Sequence, residues 1–146
     1  MSSSVVSVSR VIAAAPAAIF DLLADPAQHA RFDGSGSVRQ ARPDAPGRLT
    51  LGAQFGMDMK IGVPYRMTNT VVEFENDRRI AWRHFGGHVW RYELEPVSGG
   101  TRVTESFDMT TAKSPFMLKL LRAPQRNRTS IERTLERLEQ LVTAPD

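Results

Sequence analysis

The stretch Ser130–Val142, SIERTLERLEQLV, constrains the chain more than any other. Ile131, Leu135, Leu138 and Val142 recur at four-, three- and four-residue steps, which lines one face of an α-helix. Arg133, Glu136, Arg137 and Glu139 fall on the opposite, wet side. Thr129 followed by Glu132 has the spacing of a capping box, and Pro124 can open the helix further upstream. Fully burying each of the four aliphatic side chains contributes roughly 1.5–3 kcal/mol. Such a helix needs a broad apolar surface to lie on, and the preceding residues have to supply it.

Ser4–Ile12 sets Val6, Val8 and Ile12 against Ser7, Ser9 and Val11, the alternation of a strand. The period then changes. Pro16 suits a first helical turn, and Ile19, Phe20 and Leu23 share one helical face. Asp25-Pro26 ends that helix and can cap a second short one running through His29 and Phe32, which Asp33-Gly34-Ser35-Gly36 terminates. From Ser37 to Met109 the pattern is almost wholly β. Ser37–Arg42 reads as a weak strand and Pro43–Gly47 as a loop. Phe55, Met57, Met59 and Ile61 form one apolar face, and Arg66, Thr68, Thr70, Val72 and Phe74 form another.

Register can be tested, because a one-residue slip swaps the two faces of a strand. A three-residue loop at Phe85-Gly86-Gly87 sets His84 opposite His88, Trp82 opposite Trp90, Ile80 opposite Tyr92 and Arg79 opposite Glu93. A two-residue Gly-Gly loop would set Trp82 against Arg91, so the first register is preferred. The next hairpin, turning at Val97–Gly100, pairs Leu94 with Val103, Tyr92 with Glu105, Trp90 with Phe107 and, outside, Glu95 with Arg102. After Met109, Ser114-Pro115 leads into a short helix or lid through Phe116, Met117, Leu120 and Leu121.

This order is an α+β pattern: a strand, two short helices, an antiparallel meander and a long C-terminal helix. AAPAAIFDLLADPAQHARF, RRIAWRHF and WRYELEPVSGGTRVTESFD go further. They resemble the polyketide cyclase/dehydrase branch of the START-like (SRPBCC) superfamily, and the resemblance covers nearly the whole chain. It implies a helix-grip fold, a single domain over residues 1–146, in which the sheet curls around the long helix and encloses a pocket for a hydrophobic small molecule such as a lipid or polyketide. One departure stands at Phe32-Asp33-Gly34, where such proteins often carry a tryptophan and then a proline. The resemblance does not imply catalysis, since many relatives only bind or carry ligands.

Glu105 is the candidate for chemistry. The register places it on the inner face beside Tyr92, where lost solvation raises a carboxyl pKa and suits it to general acid or base work. Tyr92 or Arg66 would stabilise a developing enolate oxygen. The alternative is a structural glutamate bonded to Tyr92, or one turned outward by a bulge. Arg66, Thr68, His84 and His88 are expected at the loop end of the same face, as a holder for a carboxylate, phenolate or phosphate. Met57, Met59, Met109 and Met117, with Trp82, Trp90 and Phe107, would form a pliable apolar lining, or alternatively an ordinary packed core. His29 reads as a surface or packing residue.

Composition narrows the classes. Cysteine is absent, which removes disulfides, thiolate metal sites and a thiol nucleophile. No third ligand accompanies the two hairpin histidines, so neither a metal nor another cofactor is expected. No serine sits in a nucleophile-elbow pattern, and both Gly-Gly pairs are explained by turns. The start, MSSSVVSVSR, lacks a charged segment followed by an apolar run, so no secretory signal is expected and the location is read as cytoplasmic. The net charge is only +3. Basic residues crowd the last third, which raises RNA, a ribosome or an anionic membrane as partners. Glu132, Glu136 and Glu139 interleave there, so a solvated mixed-charge surface is preferred, with no DNA partner and a monomer or homodimer. Binding of a hydrophobic ligand is thus favoured over a cyclase or dehydratase using Glu105.

Overall fold

The computed structural model describes residues 5–34, 38–41, 47–61, 63–84, 86–120 and 122–143. Within these, the side chains of residues 38–41, 58–61, 64–67, 115, 119 and 120 lie outside the described residues, as does most of the Pro43–Gly47 loop. The elements follow in the order β1 (Val5–Ile12), α1 (Pro16–Leu23), a single 3-10 turn (Pro26–Gln28), α2 (His29–Phe32), β2 (Val38–Ala41), β3 (Gln54–Ile61), β4 (Val63–Glu75), β5 (Arg79–His84), β6 (Val89–Val97), β7 (Gly100–Asp108), α3 (Pro115–Leu120) and α4 (Ala123–Thr143).

The strands form one antiparallel seven-stranded sheet in the order β1-β7-β6-β5-β4-β3-β2. Hairpins make every neighbour pair except β1 with β7, so the first strand joins the sheet beside the last one. The two short helices carry the chain from the β1 edge across to the β2 edge. Pro16 opens α1 with Ile19, Phe20 and Leu23 buried, and the Asp25 carboxylate accepts from the Ala27 amide at 3.0 Å to start the 3-10 turn. α4 packs on β1, β7 and α2. This is the helix-grip arrangement.

Both tested registers are found. Trp82 pairs with Trp90, Ile80 with Tyr92 and Arg79 with Glu93, while Tyr92 pairs with Glu105 and Glu95 with Arg102. The outer pairs become ion pairs of 3.2 Å (Arg79–Glu93) and 3.4 Å (Arg102–Glu95). Each contributes little, since both partners stay wet.

Two expectations fail for physical reasons. The long helix begins at Ala123, so Thr129 is interior and its hydroxyl donates to the Gln125 carbonyl at 3.4 Å instead of capping an end. Pro124 has the backbone geometry for a first turn, and helix propagation from there overrides the local capping signal. The second failure is in β4. A bulge lies between Val71 and Glu73, which pair with Trp82 and Ala81. The extra residue reverses the alternation, so Phe74 packs inward while, before the bulge, Asn69 and Val71 are the buried positions. Thr68, expected inside, is exposed.

On α4, Ile131, Leu135 and Leu138 are fully buried, and Val142 packs at the margin. The loop after α2 clamps this helix. The Gly34 amide donates to Thr134 Oγ1 at 2.8 Å, and Arg137 donates to the Asp33 carbonyl. A Cβ at Gly34 would stand 2.3 Å from the Ser130 carbonyl oxygen and 2.6 Å from the Thr134 amide, so only glycine permits this approach to the helix backbone. Gly34→Ala should therefore lower stability by about 2 kcal/mol, within the usual range for overpacking, as measured by urea unfolding. An unchanged unfolding midpoint would show that the loop and helix are not in contact.

Candidate functional site on the inner face of the sheet

The inner face is built by alternation. Along β6 the inward positions are Trp90, Tyr92 and Leu94, and along β7 they are Val103, Glu105 and Phe107, each pair meeting across the hairpin. Val8 of β1 lies opposite Glu105 on the other side. Tyr92 and Glu105 are both buried, and they face each other across the β6–β7 pair. Burial pushes the Glu105 carboxyl well above the ordinary carboxylate range. The Tyr92 hydroxyl pulls the other way, and the nearby Asp33 charge reinforces the rise. Burial also raises Tyr92, with the Glu105 charge adding to it. Among the described residues Glu105 Oε1 is the one buried side-chain polar atom with no hydrogen-bond partner. A neutral acid is the form that such a position tolerates.

Toward α2 and β3 this face is closed by rings. His29 stacks on Trp82 at 4.9 Å and meets Phe32 and Phe55 edge-on at 5.3 and 5.5 Å, while Trp82 also lies against Tyr92 at 5.6 Å. His29 Nε2 bonds the Leu23 carbonyl at 2.9 Å, and desolvation lowers its pKa to about 4. The imidazole is thus neutral and Nε2–H is the donor. His29 is a packing residue of the core. The spacing to Phe32 on one helical face was the signal available in the sequence.

The β5–β6 hairpin end is half open. Proceeding along β6 from Leu94 and Tyr92, both buried, the inward positions become only half-buried at Trp90 and His88. Trp90 and His88 pack on Phe107 at 4.9 and 5.2 Å, and His84 stacks on His88 at 4.3 Å. The Gly86 amide donates to His84 Nδ1 at 2.9 Å, which leaves the His84 proton on Nε2 in the neutral ring. Desolvation lowers both histidines, His88 to about 4 with the neighbouring His84 contributing. This end is tied to the segment before α3. Lys113 N–H donates to the Gly86 carbonyl at 2.8 Å, and the Thr111 hydroxyl donates to the Gly87 carbonyl at 2.6 Å.

The structure thus brings together Glu105, Tyr92, Trp82, Trp90, His84, His88, Phe107, Met57 and Met109 on or behind one face, with Met57 and Met109 buried. It does not bring Thr68 or Met117 there. Thr68 is turned out by the β4 bulge, and Met117 on α3 is 47% exposed. Arg66 pairs with Asp58 in the β3–β4 register, and the side chains of Arg66 and Met59 lie outside the described residues. Asn69 was missed. It is buried opposite His84, a placement that depends on the bulge and carries no signature in the local pattern.

On the outer face Arg91 reaches Glu73 at 2.6 Å and Asp108 at 3.2 Å. Burial alone would raise Asp108, but its Thr110 and Arg91 partners more than offset this and lower it, a structural role. Among the described residues no three His, Asp or Glu side chains converge as a metal would require.

Residues 4–143 match the family model described as polyketide cyclase/dehydrase and lipid transport. The chain belongs to that family. An uncharacterised Mycobacterium tuberculosis protein, Rv0088, is 42% identical over 109 residues, covering 73% of this chain and 48% of the relative. This chain therefore spans about half the length of the curated relatives it matches. A Nitrosomonas europaea protein, NE0264, superposes with a TM-score of 0.74 at 18% identity, covering 97% of this chain and 96% of the other. The Aha1 dimer of Colwellia psychrerythraea does so with a TM-score of 0.65 at 16% identity, covering 96% of both. At these identities the solved structures establish the fold. Among the described residues no helix is long and apolar enough to cross a membrane.

The two buried titrating groups act with opposite signs. Glu105 is raised in the fold, so its contribution is complete below about 4.5 and is lost as pH rises through its folded pKa. His29 is lowered, so its contribution is complete above 6.5 and is lost as pH falls through about 4. Urea midpoints measured against pH should show that Glu105→Gln removes the decline on the alkaline side. His29→Phe should remove an acid decline of about 3 kcal/mol, the size of a shift of this magnitude. Difference profiles that are flat for both variants would contradict this assignment.

Proposed function

We propose that the protein binds a hydrophobic small molecule such as a lipid or polyketide against the inner face of the sheet, as a binder or a carrier. The observation that supports this reading is the gradient along β6. The face passes from sealed at Leu94 and Tyr92 to half-open at Trp90 and His88, with aromatic rings still directed inward. A domain that leaves Trp90 and two stacked neutral histidines half-buried, with Phe107 sealed beneath them, offers an apolar wall with polar edges, the composition of ligand sites. Met57 and Met109 behind that wall supply adaptable packing. The whole role is assigned to one domain, residues 1–146, in a cytoplasmic setting.

A second reading is favoured by the orphaned Glu105 Oε1. In a cyclase or dehydratase, neutral Glu105 would give a proton to a ligand oxygen or, once ionised, take one from carbon next to a carbonyl, with Tyr92 stabilising the enolate oxygen. Binding is preferred, because Oε1 is sealed and reaching it requires the core to open.

In a Trp82→Phe background, Trp90 is the sole tryptophan reporter. Titration with a neutral naphthylamine dye should quench it saturably, and His88→Ala should weaken binding by about tenfold, the loss expected for one well-placed ring contact. A linear, unsaturable response would reject the site. Glu105→Gln separates the two readings, since a binder changes affinity alone whereas an enzyme loses turnover with affinity nearly kept.

A further inference from the structure

We propose that α3 and the first turns of α4 form a surface that docks on an anionic lipid bilayer. Between Asp108 and Glu132 the sequence holds Lys113, Lys119, Arg122, Arg126 and Arg128 and no acidic residue. Glu132, Glu136 and Glu139 balance the arginines only further along α4, so the mixed-charge pattern of the helix stops short of its beginning. Lys113, Arg122, Arg126 and Arg128 are all exposed.

The placement of these charges works against the helix. The N-terminal end of α4 carries the positive pole of its dipole, and its first turn holds no acidic side chain. Arg126, at the end of that first turn, is repelled by that pole, and a helix selected only for its own stability would carry the opposite sign there. An external negative surface removes the conflict. Arg122, at the junction of the two helices, is also held at φ 57° in the left-handed region, where a non-glycine side chain is disfavoured.

The apolar part points to the same partner. Phe116 and Met117 on α3 are 73% and 47% exposed, although α3 packs on α4 and Leu118, next in sequence, reaches the core. An aromatic and a thioether side chain projecting from a short helix, with a cationic surround, match a headgroup layer over an acyl layer. Nucleic acid would use the cations but leave Met117 unmatched. The surface adjoins the half-open end of the inner face, through the Lys113–Gly86 bond, yet the proposal stands without a ligand in that site.

The test is vesicle co-sedimentation of the full chain at physiological salt, with phosphatidylcholine alone and with phosphatidylcholine containing phosphatidylglycerol. Binding is expected only to the anionic vesicles. Arg126→Gln with Arg128→Gln should weaken it about 25-fold, from about fivefold for each cation near the surface. Phe116→Ser should weaken it about tenfold or more, as expected for one apolar side chain withdrawn from the acyl boundary. All these positions are exposed, so thermal unfolding should not fall in any variant, and removing the arginines should if anything raise it slightly. Equal binding to neutral vesicles, or none to anionic ones, overturns the proposal. So does equally tight binding to a polyuridylate strand that ignores Phe116→Ser, which would assign the cations to RNA. Self-association abolished by Phe116→Ser, without vesicle binding, would assign the patch to a second copy.

Discussion

The seating of α4 on the sheet is the contact on which the rest depends. Ile131, Leu135 and Leu138 reach full burial only because the strands curl beneath them and the loop after α2 closes above. That closure works at backbone range, with Gly34 against Ser130 and Thr134, and it brings Asp33 close enough to influence Glu105. The same packing that makes the helix stable therefore disfavours the ionised form of a carboxyl in the interior. Structure and electrostatics are here one effect, since the desolvation that rewards apolar side chains penalises the carboxylate form of Glu105.

The interior divides into two regions with different physical character. Around His29, Trp82, Phe32 and Phe55 the rings interlock, and a neutral histidine returns its one N–H to a helix carbonyl. Around Trp90, Phe107, His84 and His88 the rings still touch but the seal is incomplete. A protein interior normally packs to crystal-like density. At Trp90 and His88 the side chains stay half-buried, beside histidines that burial keeps uncharged, and this is the part of the face to which the proposed ligand is assigned. The Gly86 and Gly87 loop, bonded to the chain just ahead of α3, makes that end and the α3 surface neighbours.

Much of this architecture was legible in the residues. The hairpin registers followed from side chains that had to agree on both faces at once, Arg79 with Glu93 outside and Ile80 with Tyr92 inside, and a unique solution existed. Glu105 became visible as an inward acid through that same register. What stayed hidden was set by tertiary competition. Thr129 and Glu132 carry a sound capping signal, yet Pro124 starts the helix earlier. The β4 bulge leaves no local mark, and it reassigns Thr68 outward and Asn69 inward in one step. His29 looked ordinary because its stacking partner, Trp82, lies far away in sequence.

Uptake of an apolar molecule by the half-open inner face is the central claim. Native mass spectrometry of the protein purified without denaturation measures this directly. The account predicts a second species heavier than the chain by one small molecule, removed by organic extraction and restored when the extract is added back. A single species at the mass of the bare chain, unchanged after incubation with apolar amphiphiles, would mean that the interior is a closed core.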